Sequence, residues 1–208
     1  MPDALRRYCM AHRIGWMVIG LLACALGIAL NGGEQVTLPS TAAQGWTPVA
    51  AATLGAIPAA LLAIGSRHSA MSVLEETATG VLFKAESLHT ACSVAFACLC
   101  VAGGAVVSSS AATAAAAVRD VLFFCGLSLI SARMFRRTLP WILPLAYFVL
   151  LQWWGADEYL RPHWWAWPLH RFDDPGSWAA SVAVFGLGWM VSVIRPWGLR
   201  PAGRRHIP

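Results

Sequence analysis

The chain is poor in charge. Asp, Glu, Lys and Arg make up 12% of its 208 residues, where a soluble domain carries about 25%. That shortage removes the solvated surface a globular fold needs. It excludes a soluble enzyme, a disordered segment and a nucleic-acid-binding domain, although a pI near 9.1 would fit the last in a polar chain. Lysine is almost absent. Lys84 is the only one, flanked by Phe83 and Ala85. A phosphate-binding loop ends in Gly-Lys-Ser/Thr, so the chain hydrolyses no nucleotide through that motif. No Cys-x-x-Cys pair occurs. Cys24, Cys92, Cys98, Cys100 and Cys125 fall in apolar runs and Cys9 in the N-terminal segment, which favours small buried side chains over a disulfide framework or metal site.

What is abundant is apolar sequence. Hydrophobic residues make up 58% of the chain, and the mean hydropathy is +0.59. A spanning helix needs roughly 20 mostly apolar residues. Six segments are candidates: Ile14–Asn31, Pro48–Gly65, Thr90–Ser108, Ala111–Ala132, Leu139–Trp154 and Trp178–Ile194. The fifth is the shortest and contains Pro140 and Pro144. Pro140 suits a first turn, and Pro144 predicts a kink. The first is not read as a signal peptide, because Asn-Gly-Gly-Glu follows Leu30 without a small-residue cleavage site. The expected fold is an all-α membrane protein with six spans in a single transmembrane domain.

Orientation follows from Lys and Arg in the short loops. With a cytoplasmic N-terminus, Arg6, Arg7, Arg13, Arg67, Lys84, Arg133, Arg136, Arg137, Arg195, Arg200, Arg204 and Arg205 all fall inside. Only Arg161 and Arg171 fall outside, and Arg119 lies within a segment. Both termini are then cytoplasmic. Residues 1–13 combine Leu5, Tyr8, Cys9 and His12 on one helical face with Arg6, Arg7 and Arg13 mostly off it. That pattern fits an interfacial helix and equally a plain basic flank.

The 66–89 stretch is amphipathic. Leu74, Ala78, Val81, Ala85 and Leu88 recur at helical spacing, with Glu75, Glu76, Thr79, Lys84, Glu86 and Ser87 on the other sides. Ser72 can cap it with Glu75 as capping-box partner, and Gly80 is a point where it can bend or break. A helix of this kind, on the cytoplasmic face, can dock a protein. The other reading rests it on lipid headgroups.

The segment from Trp153 to Trp178 holds six of the 11 tryptophans: Trp153, Trp154, Trp164, Trp165, Trp167 and Trp178. Tryptophan concentrates at membrane interfaces. Short helices on or in the outer leaflet, broken at Pro162 and Pro168, are expected here. Ser177 or Asp174 would cap the helix that follows. His163, His170, Asp173 and Asp174 match no strong zinc signature. The tryptophans with nearby histidine also allow haem handling on the outer face.

Arg119 and Asp120 stand out. Charge within a span is costly and marks a functional candidate. Adjacent helical residues point about 100° apart and so do not simply face each other. One reading assigns Ala111–Val118 partly to an outer loop or re-entrant turn, leaving Arg119 near the interface. The other turns one or both charges toward a translocation pathway or a subunit interface.

Together these features resemble the membrane (permease) subunit of a type-2 ABC transporter, an exporter. The matching regions are 1–13, 67–89 and 155–177. They correspond to the family's interfacial elbow helix, its coupling helix between spans two and three, and its short outer helices between spans five and six. Leu74-Glu75-Glu76 with Gly80 looks like the acidic-then-glycine coupling region. Pro162-His163-Trp164-Trp165-Ala166-Trp167-Pro168 is similar to segments before the last span in actinobacterial permeases. The resemblance implies a bacterial plasma-membrane protein that pairs with a second permease subunit, as a homodimer or with a similar partner. It also implies a separate ATPase subunit that docks at Ser72, Leu74, Glu75, Glu76 and Gly80 and holds ATP and Mg. Trp164, Trp165 and Trp167 would then gate the exit. The chain itself would bind no cofactor and catalyse nothing.

Two other classes remain open. A substrate-binding membrane subunit of a vitamin or metal uptake system has similar size and span number, and Ala59, Ala60 and Ala63 would support its close helix packing. An intramembrane enzyme would need a nucleophile elbow, a His-Glu-x-x-His or paired aspartates, and none is present.

Overall fold

A computed structural model describes residues 14–39, 45–67, 80–135 and 139–193. Within them the chain forms six α-helices and one two-stranded sheet. Helix α1 spans Ile14–Asn31, strands β1 and β2 span Gln35–Pro39 and Trp46–Ala50, and α2 spans Ala51–Gly65. Helix α3 spans Gly80–Ser108, α4 Ala111–Met134, α5 Ile142–Trp154 and α6 Pro175–Val193. Four stretches are long and apolar enough to cross a membrane: Ile14–Asn31, Glu86–Ser108, Ala111–Met134 and Pro175–Val193.

The second and fifth segments form shorter helices than expected. Helix α2 has 15 residues and α5 has 13, about 22 and 20 Å against a hydrocarbon core of roughly 30 Å. The missing residues are spent at their starts. Pro48 to Ala50 belong to β2, which pairs antiparallel with β1 from Gln35↔Ala50 to Pro39↔Trp46. This hairpin was not anticipated. Leu139 to Trp141 form a turn before α5. Pro144 falls in the first turn of α5, where no backbone N–H is required. The expected mid-helix kink is therefore absent at that position.

Helix α4 is unbroken from Ala111. Ser110 caps it, its Oγ accepting from the Thr113 N–H at 3.2 Å. Of the two readings left open, this excludes the one in which Ala111–Val118 belongs partly to a loop or re-entrant turn. It is also the central helix, with 61% of its apolar window buried against 17% for α1 and for α6. Its largest partner is α6. Gly126 and Gly188 let the two backbones touch: a Cβ at Gly188 would lie 2.5 Å from the Gly126 carbonyl oxygen. Small residues permit such approach where lipid supplies no hydrophobic drive between helices. Ala59, Ala60 and Ala63 of α2 are fully buried in the same core, as close packing requires.

The helices alternate in direction. One end of the bundle collects the hairpin, the Ser109–Ser110 turn and the 155–174 loop. The opposite end carries Ser66, Arg67 and Glu86. There Arg67 Nη2 and Nε donate to Glu86 Oε1 at 2.7 and 3.2 Å, and Ser66 Oγ lies 3.1 Å from His89 Nε2. These contacts tie the end of α2 to α3.

Candidate polar centre

The charges singled out in the sequence form a centre inside the fold. Arg119 is 1% exposed and Asp120 0%. The side chains meet despite their adjacent positions, which corrects the expectation from helical angles alone. Arg119 Nε and Nη2 both donate to Asp120 Oδ1, at 3.1 and 3.0 Å. The Cβ directions diverge by about 100°, but the long arginine stem turns its guanidinium back across the carboxylate.

The remaining donors of Arg119 reach outward. Nη2 donates to the Pro168 carbonyl at 3.1 Å. Nη1 faces the carbonyls of His170 and Arg171 and the Ser177 hydroxyl, each at 3.0 Å. All five guanidinium N–H groups are thus directed at oxygen. On the other side, Thr53 Oγ1 of α2 donates to Asp120 Oδ2 at 2.9 Å. One ion pair therefore joins α2, α4, the 155–174 loop and the start of α6. A buried charge is tolerated only when paired and fully hydrogen-bonded, and this one is both. Neither side chain reaches a surface.

Ser177 and Asp174 divide the capping roles left open by the sequence. Asp174 caps α6: its Oδ2 accepts from the Ser177 N–H at 2.8 Å, with Pro175 opening the helix. That N–H holds the Asp174 carboxyl below the usual carboxylate range. The Ser177 hydroxyl donates to the Asp174 carbonyl at 2.9 Å and accepts from Arg119.

The 155–174 loop contains no α-helix. Its regular structure is an Ala156↔Pro162 bridge and a three-residue 3-10 turn, Trp167–Leu169. The expected outer helices are replaced by side-chain and turn bonds. Asp157 Oδ1 accepts from the Tyr159 and Arg161 N–H groups at 2.9 and 2.8 Å. This supports a turn that puts Leu160 at φ 60°. Tyr147 Oη of α5 donates to the Trp165 carbonyl at 2.7 Å.

The three tryptophans assigned to an outer gate separate here. Trp164 is 78% exposed. Trp165 and Trp167 are half-buried against an aromatic column. Trp167 stands edge-on to Phe123 at 5.6 Å, and Trp165 edge-on to Tyr147 at 6.2 Å, the geometry ring quadrupoles favour. The His163 ring stacks on Trp165 at 6.3 Å. His170 Nε2 lies 3.0 Å from the His163 carbonyl and Nδ1 3.4 Å from Asp174 Oδ2, while Arg171 pairs with Asp173. No group of three or more His, Cys, Asp or Glu able to hold a metal converges among the described residues.

Ser72, Leu74, Glu75 and Glu76 lie outside the described residues, as do residues 1–13. Gly80 is the first residue of α3. Sequence reasoning missed Thr53, Tyr147 and the hydroxyl role of Ser177. Thr53 and Tyr147 are lone hydroxyls in apolar runs, which is the signal available for such partners, whereas Ser177 was read only as a cap. Gln152 was missed as well: it is buried in α5, and neither amide atom has a partner among the described residues.

No protein-family model, curated protein or solved structure matches the chain.

Proposed function

We propose that the chain is the membrane subunit of an ATP-binding-cassette exporter. In this reading it has six spans and cytoplasmic termini in a bacterial plasma membrane. A second permease subunit pairs with it, and a separate ATPase supplies the energy. The two short helices α2 and α5 would complete their crossings together with the segments that flank them.

The observation that carries this reading is the continuity of α3. The helix begins at Gly80, while its apolar window begins at Glu86. The end of the amphipathic 66–89 stretch is therefore one rigid rod with a span. A push delivered at the start of α3 would pass along it into the bundle, and the Arg67–Glu86 pair would carry it to α2. Arg67 and Lys84, which lie within the stretch, both fall on the cytoplasmic side in the orientation read from the loops.

The test is purification of the full chain from its own membranes under mild detergent. An ATPase subunit that co-purifies in constant ratio supports the reading. Replacing both Glu75 and Glu76 with Lys should then remove the ATPase and abolish coupled transport while the chain stays folded. Association and transport that survive this double change would overturn the docking assignment.

A second reading rests on the ordered loop over the polar centre: a substrate-binding membrane subunit of an uptake system, which would hold a ligand at that face unaided. Binding of a vitamin by the purified chain alone would favour it over the exporter.

A further inference from the structure

We infer that the 155–174 loop is a strap that swings as a unit about its end at α6, where Trp178 Nε1 donates to the Phe172 carbonyl at 2.9 Å, and that two side chains, Arg119 and Tyr147, latch it to the bundle interior. The inference is independent of any transport role.

The strap holds its own shape. Asp157 and Arg161 bond across its first turn, where the Asp157 N–H donates to the Arg161 carbonyl at 2.9 Å. The His163 N–H closes back onto the Gly155 carbonyl at 2.9 Å. His170 Nε2 meets the His163 carbonyl at 3.0 Å. None of these bonds involves the bundle. Much of the strap surface is exposed, including Tyr159, Trp164 and Arg171.

Its last residues, Phe172 and Asp174, are held by Trp178 and Ser177 of α6 and form the hinge end; ahead of them, its polar attachments to the bundle interior come from two places. Arg119 takes the carbonyls of Pro168, His170 and Arg171, and Tyr147 takes that of Trp165. All four acceptors fall within Trp165–Arg171, so the pins hold one short stretch. Ala166 is pressed under it, fully buried. By contrast α4 and α6 touch backbone to backbone at Gly126 and Gly188. Local opening draws on the least tightly packed elements. The latch can therefore release while the α4–α6 contact stays closed. Release would bring Ala166 and the outer edge of the Arg119 guanidinium to solvent.

The test is thiol labelling of the full chain in lipid nanodiscs with a water-soluble maleimide, mapped by mass spectrometry. Ala166→Cys places a thiol beneath the strap. Native Cys125, fully buried in α4, reports opening of the bundle itself. Tyr147→Phe removes one pin and keeps the ring. The double variant Arg119→Gln with Asp120→Asn removes the other and leaves no lone buried charge. Each should speed labelling at position 166 by at least about tenfold, as loss of a strong hydrogen bond implies, while Cys125 stays protected. Tyr147→Phe keeps the test decisive if the double variant does not fold. Unchanged labelling at 166 in the variants that fold would overturn the latch. So would labelling at 166 and Cys125 that rises together, because the strap would then open only when the bundle does.

Discussion

The bundle carries an arginine–carboxylate pair near each end, and the two differ in almost everything except chemistry. Arg67 and Glu86 join neighbouring helices with side chains 15% and 23% exposed. Arg119 and Asp120 sit side by side on one helix, each 1% exposed at the side chain. Water can replace either partner of the first pair at modest cost. Nothing replaces a partner of the second, so its surroundings are built to saturate it: Thr53 on the carboxylate, and three carbonyls and a hydroxyl on the guanidinium. The lesson is that burial turns an ion pair from a local tie into an organiser of several elements. The strap's own bonds shape it but do not seat it, and the charge beneath it supplies the anchors to the bundle.

Four substitutions probe the two pairs and their surroundings. Arg119→Ala should have the largest effect, because it strands a buried carboxylate. The expected loss is about 3–5 kcal/mol, read as a lower midpoint of thermal unfolding in detergent. Thr53→Val keeps the shape and removes one bond to the carboxylate. About 1.5–3 kcal/mol should go with it; no change would mean that Asp120 does not need its α2 partner. Arg67→Ala should cost at most about 1 kcal/mol, the range for a part-exposed pair. Its effect should shrink as salt rises, whereas that of Arg119→Ala should not.

The smallest effect concerns Asp174. Its carboxyl is held below the usual range in the fold, so the cap contributes above the unfolded pKa of about 3.9. That contribution is lost as pH falls through the folded value. Asp174→Asn should therefore lower stability at neutral pH and narrow its difference from the native chain in acid. A difference independent of pH would contradict the cap.

Much of the helical layout was legible because apolar runs need no partner to be recognised. Ile14–Asn31 was placed at both ends. Ala111 was one of two starts left open for the fourth segment, and the Ser110 cap is what fixes it there. The starts of α2 and α5 were misplaced for one reason. Pro48 and Pro140 sit in apolar surroundings, so hydropathy continues through residues whose backbone does not. The strap was legible as an unusual segment and not as a fold. Its seat on the bundle depends on Arg119, 49 to 52 residues away from the carbonyls it binds, and no periodicity encodes a contact of that kind. Arg119 and Asp120 announced themselves as misfit charges. Helical angles then separated them, because angles locate Cβ atoms and say nothing of where a long side chain ends.

The most direct measurement is a double-mutant cycle on the central pair. Unfolding stability would be compared for Arg119→Gln, Asp120→Asn and the two combined, in the same detergent. If the pair is one electrostatic unit, each single change leaves a buried charge alone, and the combined variant is more stable than the sum of the two losses predicts. Losses that simply add would contradict the account, because each residue would then hold the fold by contacts of its own.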